Sequence, residues 1–522
     1  MSKDTQKFVK GSLILSIAAF VAKILSAFFR IPLTNLIGDI GMAYYGYGYP
    51  IYTLFTAIAI VGIPSSVAKL VAEKRAEGQY KEAHDIFKHT MRVMIILGVV
   101  MAFLLGAGAP FLIRLFHWEE QTIYSLWGLS LSPLFVCIMG VYRGFFQGMQ
   151  EMFPTAVSQV LENLGRVVVG LLLATLFLPN IGLAAGGASF GAVAGGLCGA
   201  FVLFMFYQKK KGGIQKEIES QKQAVCIPFK ENAKRVLWIA MPISIGAAVN
   251  SVMNFLDSAL VPRRLVESGF TQIDATTAFG QLTKVATFIN FPLTFGMALV
   301  IGLVPAISEA IAKKDGEEVQ SKIELGSRFA LLIALPASVG LSVLAAPIMK
   351  LMYPEASSGS SILAVAAFTI GFTMLGQAFT GILQGMGKVF EPVKALLIAA
   401  VIKAILNYLL VGSSLGIIGA PIASIVGYGV FALYSYRAIK KETLFKLKLN
   451  LVVIKPALAS LIMGIGVFIT YKGLIKMFTG SSMIHQGIVT LGAVSVGGIL
   501  YILFIALLGG VTKEDIRQIR NK

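Results

Sequence analysis

Ionisable residues are costly inside a hydrocarbon layer, so those that interrupt long apolar runs mark where binding or ion chemistry can occur. In this chain the apolar runs carry five bases, Lys23, Arg166, Lys284, Lys403 and Lys455, against two acids, Glu162 and Asp257. An excess of bases suits an anionic ligand better than a cation. Lys23 and Arg30 are seven residues apart, so a helix presents them on one face within about 20°. Ser26 shares that face. Lys23 falls about 18 Å along its span at 1.5 Å per residue, and Arg30 near the outer end, before a turn expected at Pro32. A diphosphate moving along this face would meet both charges. Lys284 follows Gln281 and Thr283 and precedes Asn290 and Pro292, a composition that fits a cavity-lining helix.

The remaining intramembrane charges read as pairs. Glu162 and Arg166 stand four apart, acid first, which is the favourable order on a helix. They read as a self-neutralising pair, or as a substrate-binding Arg166 tuned by Glu162. Asp257 and Lys403 are expected to bridge within the second half, with Asn407 one turn beyond Lys403. The sharper alternative is a cation or proton site at Asp257. Lys455, beside Pro456, is expected to snorkel to the membrane surface. Gly187, Gly191, Gly195 and Gly199 form a four-step small-residue stripe, a seam for close helix packing. The run Tyr44-Tyr45-Gly-Tyr47-Gly-Tyr49-Pro-Ile-Tyr52 reads as an interfacial aromatic belt or a sugar-stacking surface.

These residues need spanning helices to position them. The chain has 522 residues, of which 56% are apolar and 14% charged, with mean hydropathy +0.79. A soluble domain carries about 25% charged residues, so an ordinary soluble enzyme is excluded. A helix crosses a bilayer in about 20 residues. Fourteen apolar stretches of that order are present, at about 9–29, 43–67, 92–114, 122–146, 155–178, 182–207, 236–261, 276–308, 328–352, 360–384, 394–412, 416–437, 451–471 and 484–508. Placing both termini in the cytoplasm puts 33 Lys and Arg inside and 7 outside, with 5 in spans, as the positive-inside rule requires. The net charge of +19 is therefore a topology signal and gives no reason to expect nucleic acid. The basic N-terminal end with its apolar run lacks a small-x-small cleavage pattern and is read as a retained first helix. Cys137, Cys198 and Cys226 share no metal or disulfide spacing.

Chemistry other than transport finds no support. Gly381 to Lys388 departs from a P-loop, with five residues between the glycines and Val389 after the lysine. His84, His89, His117 and His485 are scattered, and neither HExxH nor GxSxG occurs. An enzyme is not expected, nor a cofactor. Energy for transport would come from the membrane potential, a monovalent cation or the substrate gradient. The chain does repeat itself. Tyr142-Arg-Gly-Phe-Phe-Gln147-Gly148-Met149 answers Phe379-Thr-Gly-Ile-Leu-Gln384-Gly385-Met386, and Gly62-Ile-Pro64 answers Gly302-Leu-Val-Pro305. Parallel halves of this kind are a transporter plan with the substrate between them. The expected organisation is an N-lobe at 1–207, a basic cytoplasmic linker at 208–235, a C-lobe at 236–450, and two added helices with a cytoplasmic tail at 451–522.

Several strings resemble the flippase superfamily of multidrug (MATE) exporters, oligosaccharidyl-lipid and polysaccharide transporters. They are Phe29-Arg30-Ile-Pro32, Gly62-Ile-Pro64 with Val67-Ala-Lys69, Arg143-Gly-Phe-Phe-Gln147-Gly148, Pro154 through Glu162, and Leu303-Val-Pro305-Ala-Ile-Ser308-Glu309. Within it the chain most resembles the stage V sporulation protein B type and the lipid II flippases (MurJ type), from about residue 8 to 440. The resemblance implies an all-α integral membrane protein of 14 helices, with two six-helix lobes in a V around a cationic cavity that opens alternately to each face. Helices 13 and 14 would form a groove for a polyprenyl tail. The resemblance also implies essential bases in spans 1, 2 and 8. Lys23 and Arg30 fit span 1 and Lys284 fits span 8, while span 2 carries no charge. The expectation is a monomeric flippase in the bacterial cytoplasmic membrane, working beside the cell-wall machinery and among membrane lipids. It would move an undecaprenyl-diphosphate-linked peptidoglycan precursor. The alternatives are another lipid-linked oligosaccharide and a cation-coupled drug antiporter.

Overall fold

The computed structural model describes residues 3–221, 228–443, 447–477 and 483–510. Among them every regular element is helical. Helix α1 (Lys3–Ala57) passes through a π-helical turn at Ile58–Gly62 into α2 (Ile63–Ala76). Then follow α3 (Tyr80–Phe116), the broken pair α4 (Thr122–Ser130) and α5 (Ser132–Gly148), α6 (Met152–Leu176) and α7 (Ile181–Glu219). Next come α8 (Phe229–Ala247), α9 (Val249–Glu267), α10 (Gln272–Ala312), α11 (Gly316–Val343) and α12 (Ala345–Met352). The chain continues through α13 (Ser360–Ala366), α14 (Thr369–Gly385), α15 (Glu391–Val411), α16 (Gly419–Thr443), α17 (Lys455–Met477) and α18 (Met483–Leu507).

Eleven helical segments among the described residues are long and apolar enough to cross a membrane. Helix-only architecture is what a bilayer demands, because each backbone N–H and C=O must be satisfied within its own segment. Large apolar side chains such as Phe103, Leu397, Ile502 and Leu507 are left exposed, which water would penalise and lipid does not. The stretch at 9–29 lies in α1, and that at 43–67 runs from the end of α1 through the π-helical turn into α2. Helix α1 tolerates Pro32 and Pro50 and breaks at Gly38 (φ 65°, ψ −167°), so the turn expected at Pro32 lies six residues further on. A positive φ with an extended ψ is open to glycine and to almost no other residue, whereas a proline inside a membrane helix can be accommodated by its neighbours.

Contacts divide the chain into two compact units, Met1–Arg263 with Thr271–Gly280, and Arg264–Phe270 with Gln281–Lys522. The packing boundary therefore falls after α8 and most of α9, which the repeat assigns to the second half. Gly62 lets α8 close on the π-helical turn: a Cβ there would lie 2.6 Å from the Ala240 carbonyl. Trp118 Nε1 donates to the Ser258 carbonyl at 2.7 Å and fixes α9. The segment expected as a linker is helical through Glu219, and Arg75 clamps it with two bonds to Glu217 at 2.8 and 3.0 Å.

Within the first unit the small-residue stripe is a packing seam, as its spacing predicts. A Cβ on Gly191 would stand 2.6 Å from the Arg166 carbonyl, and one on Gly195 would stand 2.2 Å from that of Glu162. Helix α7 thus touches the backbone of α6 beneath the charged pair. The two repeated strings also pack alike. Helices α5 and α14 are each 17 residues long. Gly148 packs on Ala68 and Val71 of α2, and its counterpart Gly385 packs on Val304 and Ile307 of α10.

In the second unit α17 and α18 pack on α11 through Leu344, Met463, Val467 and Ala493. Lys455 Nζ donates to the Gly509 carbonyl at 3.2 Å, while Arg328 Nε reaches the Gly510 carbonyl at 2.9 Å. Both carbonyls lie just past the end of α18, where two cations oppose the negative end of the helix.

Gly195→Ala should destabilise the protein by roughly 1–3 kcal/mol, because α7 must retreat from α6. Gly212→Ala, where nothing lies within 4 Å, should not. Thermal unfolding of both variants in detergent checks this, and equal midpoints would dismiss the seam.

Candidate functional site

The charges of the first unit converge where α1, α5 and α6 meet. Glu162 and Arg166 lie one turn apart on α6, and the hairpin at Gln150–Glu151 folds α5 back along α6. This brings Arg143 level with Ser158 and Glu162. Glu162 Oε2 accepts from Arg143 Nη2 at 2.9 Å, and Oε1 accepts from Arg166 Nη2 at 3.0 Å. Arg143 Nε donates to Ser158 Oγ at 3.0 Å. All three charged side chains are 13–14% exposed. One carboxylate balances one of two guanidiniums, so the triad keeps a net positive charge.

Arg30 adds a third guanidinium from α1. Its Cζ lies 5.5 Å from the centre of the Tyr49 ring and 6.0 Å from that of Tyr45, within range of a cation–π attraction. The Tyr45 and Tyr49 rings stack at 5.5 Å, and Tyr52 continues the row. Arg166 is within electrostatic reach of Tyr45, Tyr49 and Tyr52, so the two arginines flank one aromatic ladder. Ser26 Oγ bonds to Asn163 Oδ1 at 3.0 Å and ties α1 to α6. Arg166 Nε is buried with no hydrogen-bond partner, a donor available to an incoming oxygen.

This arrangement corrects two sequence expectations. The tyrosine run is not an interfacial belt: Tyr44, Tyr45, Tyr47 and Tyr52 are buried. Gly48 within the run packs on Leu126 of α4, and the rings turn inward with it. The Glu162–Arg166 pair is not self-contained, because Arg143 shares its carboxylate. Arg143 is not among the five bases that interrupt the apolar runs. The apolar Val141-Tyr142 and Phe145-Phe146 on either side of it, and its equal distance from the turn with Ser158, are the signals that place it inside the hairpin.

The other expected site residues lie elsewhere. Lys23 belongs to α1, but its side chain falls outside the described residues. Lys284 on α10 is fully buried and does not line an open cavity. Its Nζ donates to the Ala356 carbonyl at 2.5 Å and to Ser358 Oγ at 3.1 Å, and it sits 5.8 Å from the centre of the Tyr353 ring. It therefore closes the loop between α12 and α13. Asn290 is exposed, and its carbonyl accepts the Thr294 hydroxyl. Lys403 and Asn407 are buried one turn apart on α15, with the Lys403 stem against Gly427 of α16. They pack in the second unit, and Asp257 in the first. Among the described residues no group of His, Cys, Asp and Glu could hold a metal ion, and Cys226 is outside them.

An all-helical membrane chain with a net-positive guanidinium cluster among its helices is of the transporter class. It belongs to the polysaccharide biosynthesis protein family, which matches residues 8–269, and the MatE family matches residues 242–409. Both lie within the multidrug/oligosaccharidyl-lipid/polysaccharide flippase superfamily. The chain is 28% identical to the lipid II flippase MurJ of Bacillus subtilis, over 95% of each chain. It is 28% identical to stage V sporulation protein B of the same organism, over 99% of this chain and 98% of the relative. The solved structure of a lipid II flippase MurJ in its inward closed conformation has the same fold, with a TM-score of 0.70 and 18% identity over 95% of this chain and 98% of that one.

Glu162→Gln leaves two buried guanidiniums uncompensated and should cost about 3–5 kcal/mol. Arg143→Gln combined with Glu162→Gln should cost less than the two single losses added together. Unfolding of the four proteins in mixed micelles measures the coupling, and strict additivity would dissolve the triad. Lys284→Met keeps the stem and removes the donor. It should raise amide exchange at 356–360 about tenfold, which hydrogen-exchange mass spectrometry reads directly. Unchanged exchange would show that the loop does not depend on the ammonium.

Proposed function

We propose that this protein is a flippase for a lipid-linked sugar. It moves an undecaprenyl-diphosphate carrier of peptidoglycan precursor type from the inner to the outer leaflet of a bacterial cytoplasmic membrane. The observation that carries this reading is the guanidinium cluster, in which Arg143 and Arg166 share one carboxylate, Arg30 lies over the adjoining tyrosines, and a surplus of positive charge remains. Guanidinium is the cation whose forked donors match phosphate oxygens. Arg30 and Arg166 are the residues assigned to the diphosphate, with Lys23 further along α1. Arg143 and Glu162 set their position. The full-length likeness to a lipid II flippase supports the choice of substrate.

In this reading fourteen spans form two six-helix lobes in a V, with α17 and α18 added beside them. Both termini face the cytoplasm, and the lobes rock to expose the site to each side in turn. The protein acts as a monomer and hydrolyses nothing. The membrane potential or a monovalent cation drives the cycle, and the product is handed to the cell-wall machinery. The MatE match favours a second reading, a cation-coupled drug antiporter dependent on Asp257. The family description equally accommodates another lipid-linked glycan.

Liposomes holding the purified protein and a fluorescent undecaprenyl-diphosphate sugar decide among these. Arg30→Ala and Arg166→Gln should each slow translocation about tenfold or more, since each removes a charge-assisted contact, and Asp257→Asn should leave a substantial rate. Full activity in both arginine variants would end the site assignment. Drug efflux that depends on Asp257 and ignores the arginines would favour the antiporter.

A further inference from the structure

The end of the first unit where α3 passes to α4 and α6 to α7 contains a cavity of about 400 Å³, lined by none of the cluster residues. Its polar wall is Tyr44, Glu119, Gln121, Asn180 and Thr276, and three isoleucines and Pro179 complete it. We propose that this cavity is a carbohydrate subsite that takes an uncharged amino sugar and excludes phosphate. The wall holds one carboxylate and no base, so it repels a diphosphate.

Glu119 makes no ion pair and no side-chain hydrogen bond among the described residues. Its oxygens are therefore open to sugar hydroxyls, which a carboxylate accepts strongly. Asn180 Oδ1 already accepts the Leu183 N–H at 3.0 Å, which leaves the amide N–H groups to donate to a hydroxyl or an acetamido carbonyl. Thr276 Oγ1 donates to the Gln272 carbonyl at 2.8 Å, which leaves its lone pairs to accept. The aliphatic wall suits the C–H face of a pyranose ring. The volume falls within the roughly 300–1,000 Å³ of small-molecule sites, room for one or two rings.

The backbone that carries the carboxylate is anchored. Trp118, the preceding residue, is buried and anchored to the Ser258 carbonyl, and His117 before it takes a left-handed φ of 56° that ends α3. A group fixed by such supports loses little freedom on binding. In the proposed topology this end faces outward, where a transported headgroup emerges. That placement rests on the flippase reading, whereas the affinity for sugar does not.

Saturation-transfer-difference NMR on the full-length protein in detergent, with N,N′-diacetylchitobiose as probe, tests the subsite. The expected result is a saturable signal that inorganic pyrophosphate does not displace and that Glu119→Gln weakens about tenfold. Gln121→Ala should weaken it in the same direction and stands in if the first variant does not fold. No saturable signal in the wild type, unchanged affinity in the variants, or displacement by free lysine would overturn the proposal. Disaccharide binding without translocation in liposomes would end the flippase reading alone, and translocation without disaccharide binding would end the subsite alone.

Discussion

The carboxylate of Glu162 is the point on which the first unit turns. It holds Arg143 of α5 and Arg166 of α6 at 2.9 and 3.0 Å in surroundings where an unbalanced charge is expensive. Without it two guanidiniums would repel across the hairpin, and α5 could not run level with α6. With it the pair still carries a net charge, so the interaction that secures the helices also leaves attraction for an anion. In the proposed function, stability and binding rest on the same three side chains.

That carboxylate depends in turn on a surface with no side chains. Gly191 and Gly195 allow α7 to rest against the carbonyls of Arg166 and Glu162, so α6 is held from behind while its charged face looks toward α1. From the other side Ser26 reaches Asn163. The tyrosine ladder offers Arg30 an aromatic surface in place of water. Small residues bring the backbones close, hydrogen bonds set the rotation, and rings stabilise a cation that lipid would reject.

The basic residues divide by what their charges meet. Arg328 and Lys455 rest on carbonyls just past the end of α18, and Lys284 rests on the loop before α13. These cations bond backbone and hold chain segments in place. Arg143 and Arg166 instead meet a shared carboxylate and Arg30 meets aromatic faces, and in the proposed reading these arginines take the ligand. The surplus of intramembrane bases therefore divides into cations that bond backbone and guanidiniums that the proposed function assigns to a ligand.

The amino-acid sequence alone determined the all-helical membrane class, the approximate positions of the spans, the glycine seam and the superfamily. Each of these is written in local composition or in a periodicity that a single helix displays. It also marked Arg30, Glu162 and Arg166, because a charge in an apolar run is conspicuous without any partner in view. Only the tertiary structure decided that Arg143 completes the triad, that the tyrosines turn inward, that Lys284 and Lys455 bond backbone carbonyls, and that the first turn falls at Gly38. A helix face has no inside until another helix covers it, and a hydrogen bond to a distant carbonyl depends on which backbone arrives there. Such contacts join residues that stand far apart in the chain, and no periodicity records them.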